Sequence, residues 1–306
     1  MKQHKNINGW LGLIVVVSLV GLILHQAVLA RPASFQQSTV ASPKKLKIVS
    51  SLSVYGEMAQ AIVGKYGEVV NIVGPHNGDP HDFEPTLQTA KTYAQADLII
   101  SNGGGYDEWA HNLSAAHAKT PQIEVSHLVS YQEGDNEHFW YRPQIAQVVT
   151  AALVEQLSRQ DEQHQAYYQR RAQNYLATLA PLQQMRDDIK SQLAGKMILT
   201  TEPVYDNALA GWSVHIGDQE FAQAVEAGND PSPQAIEQWN RALEKKRVSL
   251  VIENTQTTNR ITQQAVKKAR QAGVPVVGVT ESQPAEKNYY QWQMDILQAI
   301  KTGLEA

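Results

Sequence analysis

The sequence predicts an α/β protein of two lobes, each a parallel-type sheet flanked by helices, joined by one long helix. Three observations carry this expectation. Short apolar runs alternate with helical segments over residues 46–125. The same rhythm returns after Gly195. Between them, residues 143–193 are dominated by Gln, Ala, Glu, Arg and Leu, which are strong helix formers. Short β-rich runs that alternate with helices imply βαβ units and hence parallel strands.

The elements follow in chain order. Lys2 and Lys5 precede an almost wholly apolar stretch over residues 10–24, and Val28-Leu29-Ala30 resembles a small-residue cleavage site. Residues 1–30 are therefore expected to be a signal peptide or an uncleaved membrane anchor, since 10–30 approaches the ~20 residues that span a bilayer. Either way the rest of the chain is expected outside the cytoplasm. Residues 31–45, rich in Ser, Pro, Gln and Thr, read as a flexible tether. The first lobe is placed at 46–160. Its expected strands are 46–50, 69–73, 98–101 and 122–125, and its expected helices are 54–65, 87–95 and 107–116. Two helices follow, broken near residues 158–161, the second a linking helix at 161–194 that Pro181 is placed to kink. The second lobe is placed at 195–306. Strands are expected at 197–200, 248–252 and 274–279, and helices at 222–226, 233–245, 260–272 and 289–304.

Composition narrows the chemistry. The chain has 306 residues, 42% hydrophobic and 18% charged, with net charge -4 and no basic stripe, so nucleic acid is not an expected partner. It has no cysteine. That removes disulfides, thiolate metal sites, cysteine nucleophiles and lipid attachment through an N-terminal cysteine.

In open parallel sheets, ligands bind beyond the carboxyl ends of the strands. Metal-type side chains stand at four such places. His81 lies after the second strand, in Gly78-Asp79-Pro80-His81-Asp82-Phe83-Glu84-Pro85, and His138 after the fourth, in Asn136-Glu137-His138-Phe139-Trp140. Glu202 and Glu281 directly follow strands of the second half. Two imidazoles and two carboxylates suit a borderline or hard divalent ion. The spacing alone leaves rivals open: His76 beside His81, Glu253 after a strand of its own, and Asp79 and Asp206 as spare carboxylates.

The blocks around His81 and His138, Asn102-Gly103 with Trp109, Asp230-Pro231-Ser232-Pro233, and Thr280-Glu281 followed by Tyr289-Tyr290-Gln291-Trp292 together resemble the manganese- and zinc-type (cluster A) metal solute-binding proteins of ABC transporters, over about residues 45–305. The resemblance implies a metal site of His81, His138, Glu202 and Glu281, with two ligands from each lobe. It also implies Mn2+ or Zn2+ as transported ligand and a membrane permease as partner. Glutamate at the third position resembles manganese-type members, whereas zinc-type members usually carry histidine. The last ligand of the family is more often aspartate, so Glu281 is one methylene longer. The implied function is an extracytoplasmic substrate-binding protein of an ABC importer. The chain is expected to be a monomer, held to the membrane through residues 1–30 if these stay uncleaved. Rival readings are a metal-dependent extracellular hydrolase on the same residues and a binding protein for a chelated metal. Neither a zinc-protease helix motif nor a serine elbow accompanies them.

Overall fold

The computed structural model describes residues 45–74 and 83–305. Two four-stranded sheets form its frame, and every strand pairing is parallel. In the first sheet β1 (Leu46–Leu52), β2 (Gly67–Val73), β3 (Leu98–Ser101) and β4 (Gln122–Glu124) run in the order β2-β1-β3-β4. In the second, β5 (Met197–Thr200), β6 (His215–Gly217), β7 (Val248–Asn254) and β8 (Val276–Val279) run in the order β6-β5-β7-β8. Both orders reverse beside the first strand of the sheet, so each sheet has a switch point where a crevice opens at the strand ends.

The continuous apolar runs read from the sequence have a simple cause: both faces of each sheet are covered. Alternate residues serve opposite faces. Ile48 and Ile100 join the large core beneath helix α1 (Ser53–Val63), while Val49 and Ile99 pack with Tyr93 and Ala110 from α2 (Leu87–Tyr93) and α3 (Glu108–Ala115). In the second sheet Ile198, Leu250 and Ile252 face that same large core, and Leu199 and Val251 face a separate cluster. The latter includes Phe221 stacked on Trp239 at 4.5 Å. Each fully buried aliphatic or aromatic side chain of this kind contributes about 1.5–3 kcal/mol. Helices α8 (Gln219–Glu226), α9 (Pro233–Glu244) and α10 (Arg260–Gln271) supply that layer.

The linker is two helices, as expected. After the one-turn α4 (Val125–Leu128), α5 (Ile145–Gln160) ends at Asp161. A 3-10 turn at Glu162–His164 precedes α6 (Gln165–Leu193), so the long helix itself starts three residues later than the break suggested. Pro181 lies inside α6. The final helix, α11 (Tyr289–Glu305), buries Tyr289, Trp292, Ile296 and Ile300 in the core that also holds Leu182, Ile189 and Leu193 of α6. That core is continuous from the first sheet to the second, which fastens the lobes together.

Three details differ from the sequence expectation. The strand expected from 274 begins at Val276, because the Val274 amide still bonds back to Ala269 O and Pro275 has no N–H to donate to the ladder. Strand β6 was not expected: three residues with an exposed His215 carry too short an apolar run to stand out. The one-turn helices α4 and α7 (Asp206–Leu209) are likewise below the length at which a periodic pattern is legible. The expected signal or anchor and nearly all of the tether lie outside the described residues. Among the described residues no helix is long and apolar enough to cross a membrane.

Candidate metal centre

The carboxyl ends of the two sheets face one cleft. In the second lobe β5 ends at Thr200 and delivers Glu202, β7 delivers Asn254 as its last residue, and β8 ends just before Glu281. Glu202, Asn254 and Glu281 are 3%, 1% and 6% exposed. The Asn254 side-chain amide ties the two glutamates together. Its Nδ2 donates to Glu202 Oε2 and, at 2.6 Å, to Glu281 Oε1. Two acidic side chains from separate strands are thus drawn to one point, at a cost in mutual repulsion that a cation would offset.

Strand alternation separates Glu253 from Glu281. Neighbouring residues of β7 point to opposite faces. Asn254 enters the cleft, so Glu253 turns away and meets Arg270 at 3.4 Å on the outside.

The first lobe supplies His138, which is fully buried. Its ring is packed edge-on between Tyr106, with centroids 5.8 Å apart, and Trp140, at 5.3 Å. Nδ1 lies 3.2 Å from Asn136 Oδ1 and 3.7 Å from Glu226 Oε1. The Asn136 side chain is itself oriented, because its Nδ2 donates to Pro203 O at 2.7 Å. An oxygen acceptor opposite Nδ1 holds the proton there in the neutral ring and leaves the Nε2 lone pair facing the cleft. Nε2 lies 4.0 Å from Glu281 Oε2. One cation bonded to both at about 2.0–2.2 Å in a tetrahedral arrangement would hold them about 3.3–3.6 Å apart, so the pair has to close by about half an ångström to share it. Tyr106 donates its hydroxyl proton to the same Glu281 Oε2 at 3.2 Å.

The loop that carries Tyr106 depends on its glycines. Gly103 has φ 72°, and a Cβ there would lie 2.4 Å from Ser126 Oγ and 2.5 Å from Glu124 Oε1. Asp107, buried behind the loop, accepts from the amides of Asn102 at 2.8 Å and Gly103 at 2.7 Å. Burial pushes its carboxyl up, and the hydrogen bonds from those amides act in the opposite direction.

The loops of the two lobes are bonded directly to each other around the cleft. Tyr141 donates to Thr280 O at 2.5 Å, next to Glu281. Asn207 donates to Asn136 Oδ1 at 2.6 Å, and Tyr289 to Trp140 O at 2.9 Å. Farther out, Glu57 of α1 accepts from the Tyr289 amide at 2.7 Å and from Gln283 Nε2 at 2.5 Å.

Of the four ligands expected from sequence, His138, Glu202 and Glu281 come together at this point. His81 lies outside the described residues, as do His76 and Asp79. Asp206 stays close to the cleft as the first residue of α7, and burial pushes it up to about 7. Sequence reading missed Glu226. It ends helix α8, and with Glu137 and His138 it forms a trio whose donor atoms lie within 4.8 Å of one another. Burial and the nearby carboxylates of Glu137, Glu202, Glu281 and Asp206 push Glu226 up to about 8. Nothing in its local sequence marks it, because only the packing of α8 brings it to His138. Asn254 was also missed, although its position at a strand's carboxyl end was the available signal.

Comparison with known proteins extends these observations. Residues 48–303 match the profile of the family described as zinc-uptake complex component A, periplasmic. The metal ABC transporter substrate-binding lipoprotein SloC of Streptococcus mutans serotype c is 25% identical over 309 aligned positions, covering 92% of this chain and 95% of the relative. The manganese ABC transporter substrate-binding lipoprotein PsaA of Streptococcus pneumoniae serotype 4 is 25% identical, over 78% of this chain and 81% of its own. Among solved structures, the periplasmic zinc binding protein TroA from Treponema pallidum shares the fold, with a TM-score of 0.71 at 15% identity, covering 85% of this chain and 99% of that one. A profile match over most of the chain, on a scaffold whose sheets aim His138, Glu202 and Glu281 into one cleft, shows that the chain belongs to the family of periplasmic zinc-uptake complex component A proteins.

Proposed function

We propose that this protein captures a divalent transition metal, manganese or zinc, in the cleft between its lobes and delivers it to the membrane permease of an ABC importer. The observation that carries this reading is the convergence of His138 Nε2, Glu281 Oε2 and the Asn254-tethered Glu202 at the carboxyl ends of both sheets. We assign the metal to His81, His138, Glu202 and Glu281, with the described three supporting the set and His81 resting on its sequence block. The metal is cargo, and the protein is a binding protein rather than an enzyme: its relatives are named as transporter substrate-binding proteins, which leaves the hydrolase reading without support. It acts outside the cytoplasm. Attachment through residues 1–30, a monomeric state, and the division into lobes at 46–160 and 195–306 with a linking segment at 161–194 belong to the proposal.

Metal analysis of protein purified from its own host, without added metal, tests it. About one equivalent of manganese or zinc is expected. Calorimetric affinity is expected to fall as the pH is lowered from about 7.5 to about 5, because protons compete for the imidazole ligands. Protein that carries no transition metal and takes up none in titration would refute the reading.

A further inference from the structure

A second site lies behind the cleft, where α5, α6 and α11 meet. Arg186 of α6 is 4% exposed, yet among the described residues no carboxylate lies within ion-pair distance of its guanidinium. Its Nε has no hydrogen-bond partner, its Nη2 reaches Gln293 Oε1 at a long 3.4 Å, and its remaining hydrogen-bond contact is the neutral Tyr289 hydroxyl. The neighbouring Gln293 Nε2, fully buried, also lacks an acceptor. The place is therefore rich in donors and carries an uncompensated positive charge. A buried charge without a counter-charge is expensive, and proteins keep one where something supplies the opposite sign.

Arg186 lines a cavity of about 200 Å³ whose far end is the start of α5, at Pro143, Ala146 and Gln147. That helix has sixteen residues and no side-chain cap at Gln144. Within its first turn Ile145 donates to Arg142 O and Val148 to Gln144 O, but Ala146 and Gln147 have no backbone acceptor among the described residues. An uncapped helix N-terminus and a buried guanidinium thus face one small space, and both favour negative charge. The remaining wall is apolar, formed by Leu176, Leu179 and Leu182 on the turns around Pro181. Exposed Gln147 and Gln183 stand at the mouth.

We propose that this cavity binds a small monocarboxylate anion, its carboxylate between Arg186 and the amides of Ala146 and Gln147 and its short hydrocarbon against the leucines. A charged end opposite an aliphatic wall fits that class better than a fully hydrated oxyanion. The site is separate from the metal cleft and does not rest on the metal reading. Its floor, Tyr289, also donates to the carbonyl of Trp140, two residues from His138.

Ligand-observed NMR and calorimetry on the full-length protein test this, with propionate as the probe and propanol, chloride and inorganic phosphate as comparisons at fixed ionic strength. Saturable propionate binding is expected, with none for propanol. Arg186→Met removes the charge at similar length. Gln147→Glu, at an exposed position, places the protein's own carboxylate at the mouth. Each is expected to weaken propionate by at least about tenfold. Unchanged metal affinity in Gln147→Glu shows that this variant is folded. No saturable propionate binding in the wild type, or equal binding in Gln147→Glu, overturns the proposal. Chloride or phosphate binding about tenfold tighter than propionate overturns the monocarboxylate class, and equal binding of propanol overturns an anion site altogether.

Discussion

At the residue scale, Glu202 offers the sharpest test of metal preference. A carboxylate there supplies hard oxygen and binds through one or both atoms, which lets coordination exceed four. An imidazole supplies one nitrogen and favours a compact tetrahedral zinc site. Glu202→His should weaken manganese far more than zinc, while Glu202→Gln keeps the length and removes the charge. Competitive titration of both metals reads the ratio, and a zinc-to-manganese ratio that stays within about twofold in Glu202→His removes the third ligand as its cause. Asp206 predicts a pH effect of the fold itself. Burial alone pushes its carboxyl up to about 7, and its Oδ1 has no hydrogen-bond partner. The folded state then holds this proton over a range where the unfolded chain, titrating near the usual ~4, has released it. Stability from this group is therefore lost as pH rises from about 4 to about 7. Metal-free Asp206→Asn should be more stable than wild type at pH 8, by on the order of 4 kcal/mol at most, and no more stable at pH 4. Denaturant melts at the two pH values give the answer, and a gain of equal size at both would remove ionisation as the cause.

At the element scale, α6 is the anomaly. A 29-residue helix carries Pro181 in its interior, where the ring removes one backbone hydrogen bond and crowds the preceding turn. Pro181 is exposed, so no core contact holds it in place. Pro181→Ala is expected to raise stability by about 1–3 kcal/mol. Urea denaturation measures it, and a midpoint that falls instead would mean that the surrounding packing requires the interruption. The leucines of the proposed anion cavity lie on these same turns.

At the scale of the whole molecule, the lobes are joined in three ways: by α6, by one continuous core, and by hydrogen bonds such as Tyr141 to Thr280 and Tyr289 to Trp140. A loop-linked binding protein closes by a large hinge motion, whereas these connections resist one. Metal binding should therefore rearrange the loops bearing His81, His138, Glu202 and Glu281 and leave the lobes nearly fixed. Small-angle scattering of metal-free and metal-loaded protein is expected to superpose, and a clear compaction on metal addition would contradict the rigid linker.

The sequence by itself determined the strand and helix alternation, the parallel character of both sheets and the long linking helix. All three rest on local periodicity and on runs that are apolar because both sheet faces are covered. It also singled out His138, Glu202 and Glu281, since the rule that ligands collect at strand carboxyl ends can be applied to a string of letters. Their assignment as ligands over the rivals leaned on the family blocks around them. The tertiary structure decided what has no local signature. Glu253 and Asn254 are neighbours in the chain, but the alternation of β7 sends one to Arg270 and the other between two carboxylates. Glu226 reaches His138 only through the packing of α8, and Arg186 meets the start of α5 only through the crossing of helices far apart in sequence. Spacing along the chain fixes which face of an element a residue occupies. Which faces then meet depends on how the elements pack, and that information is not local.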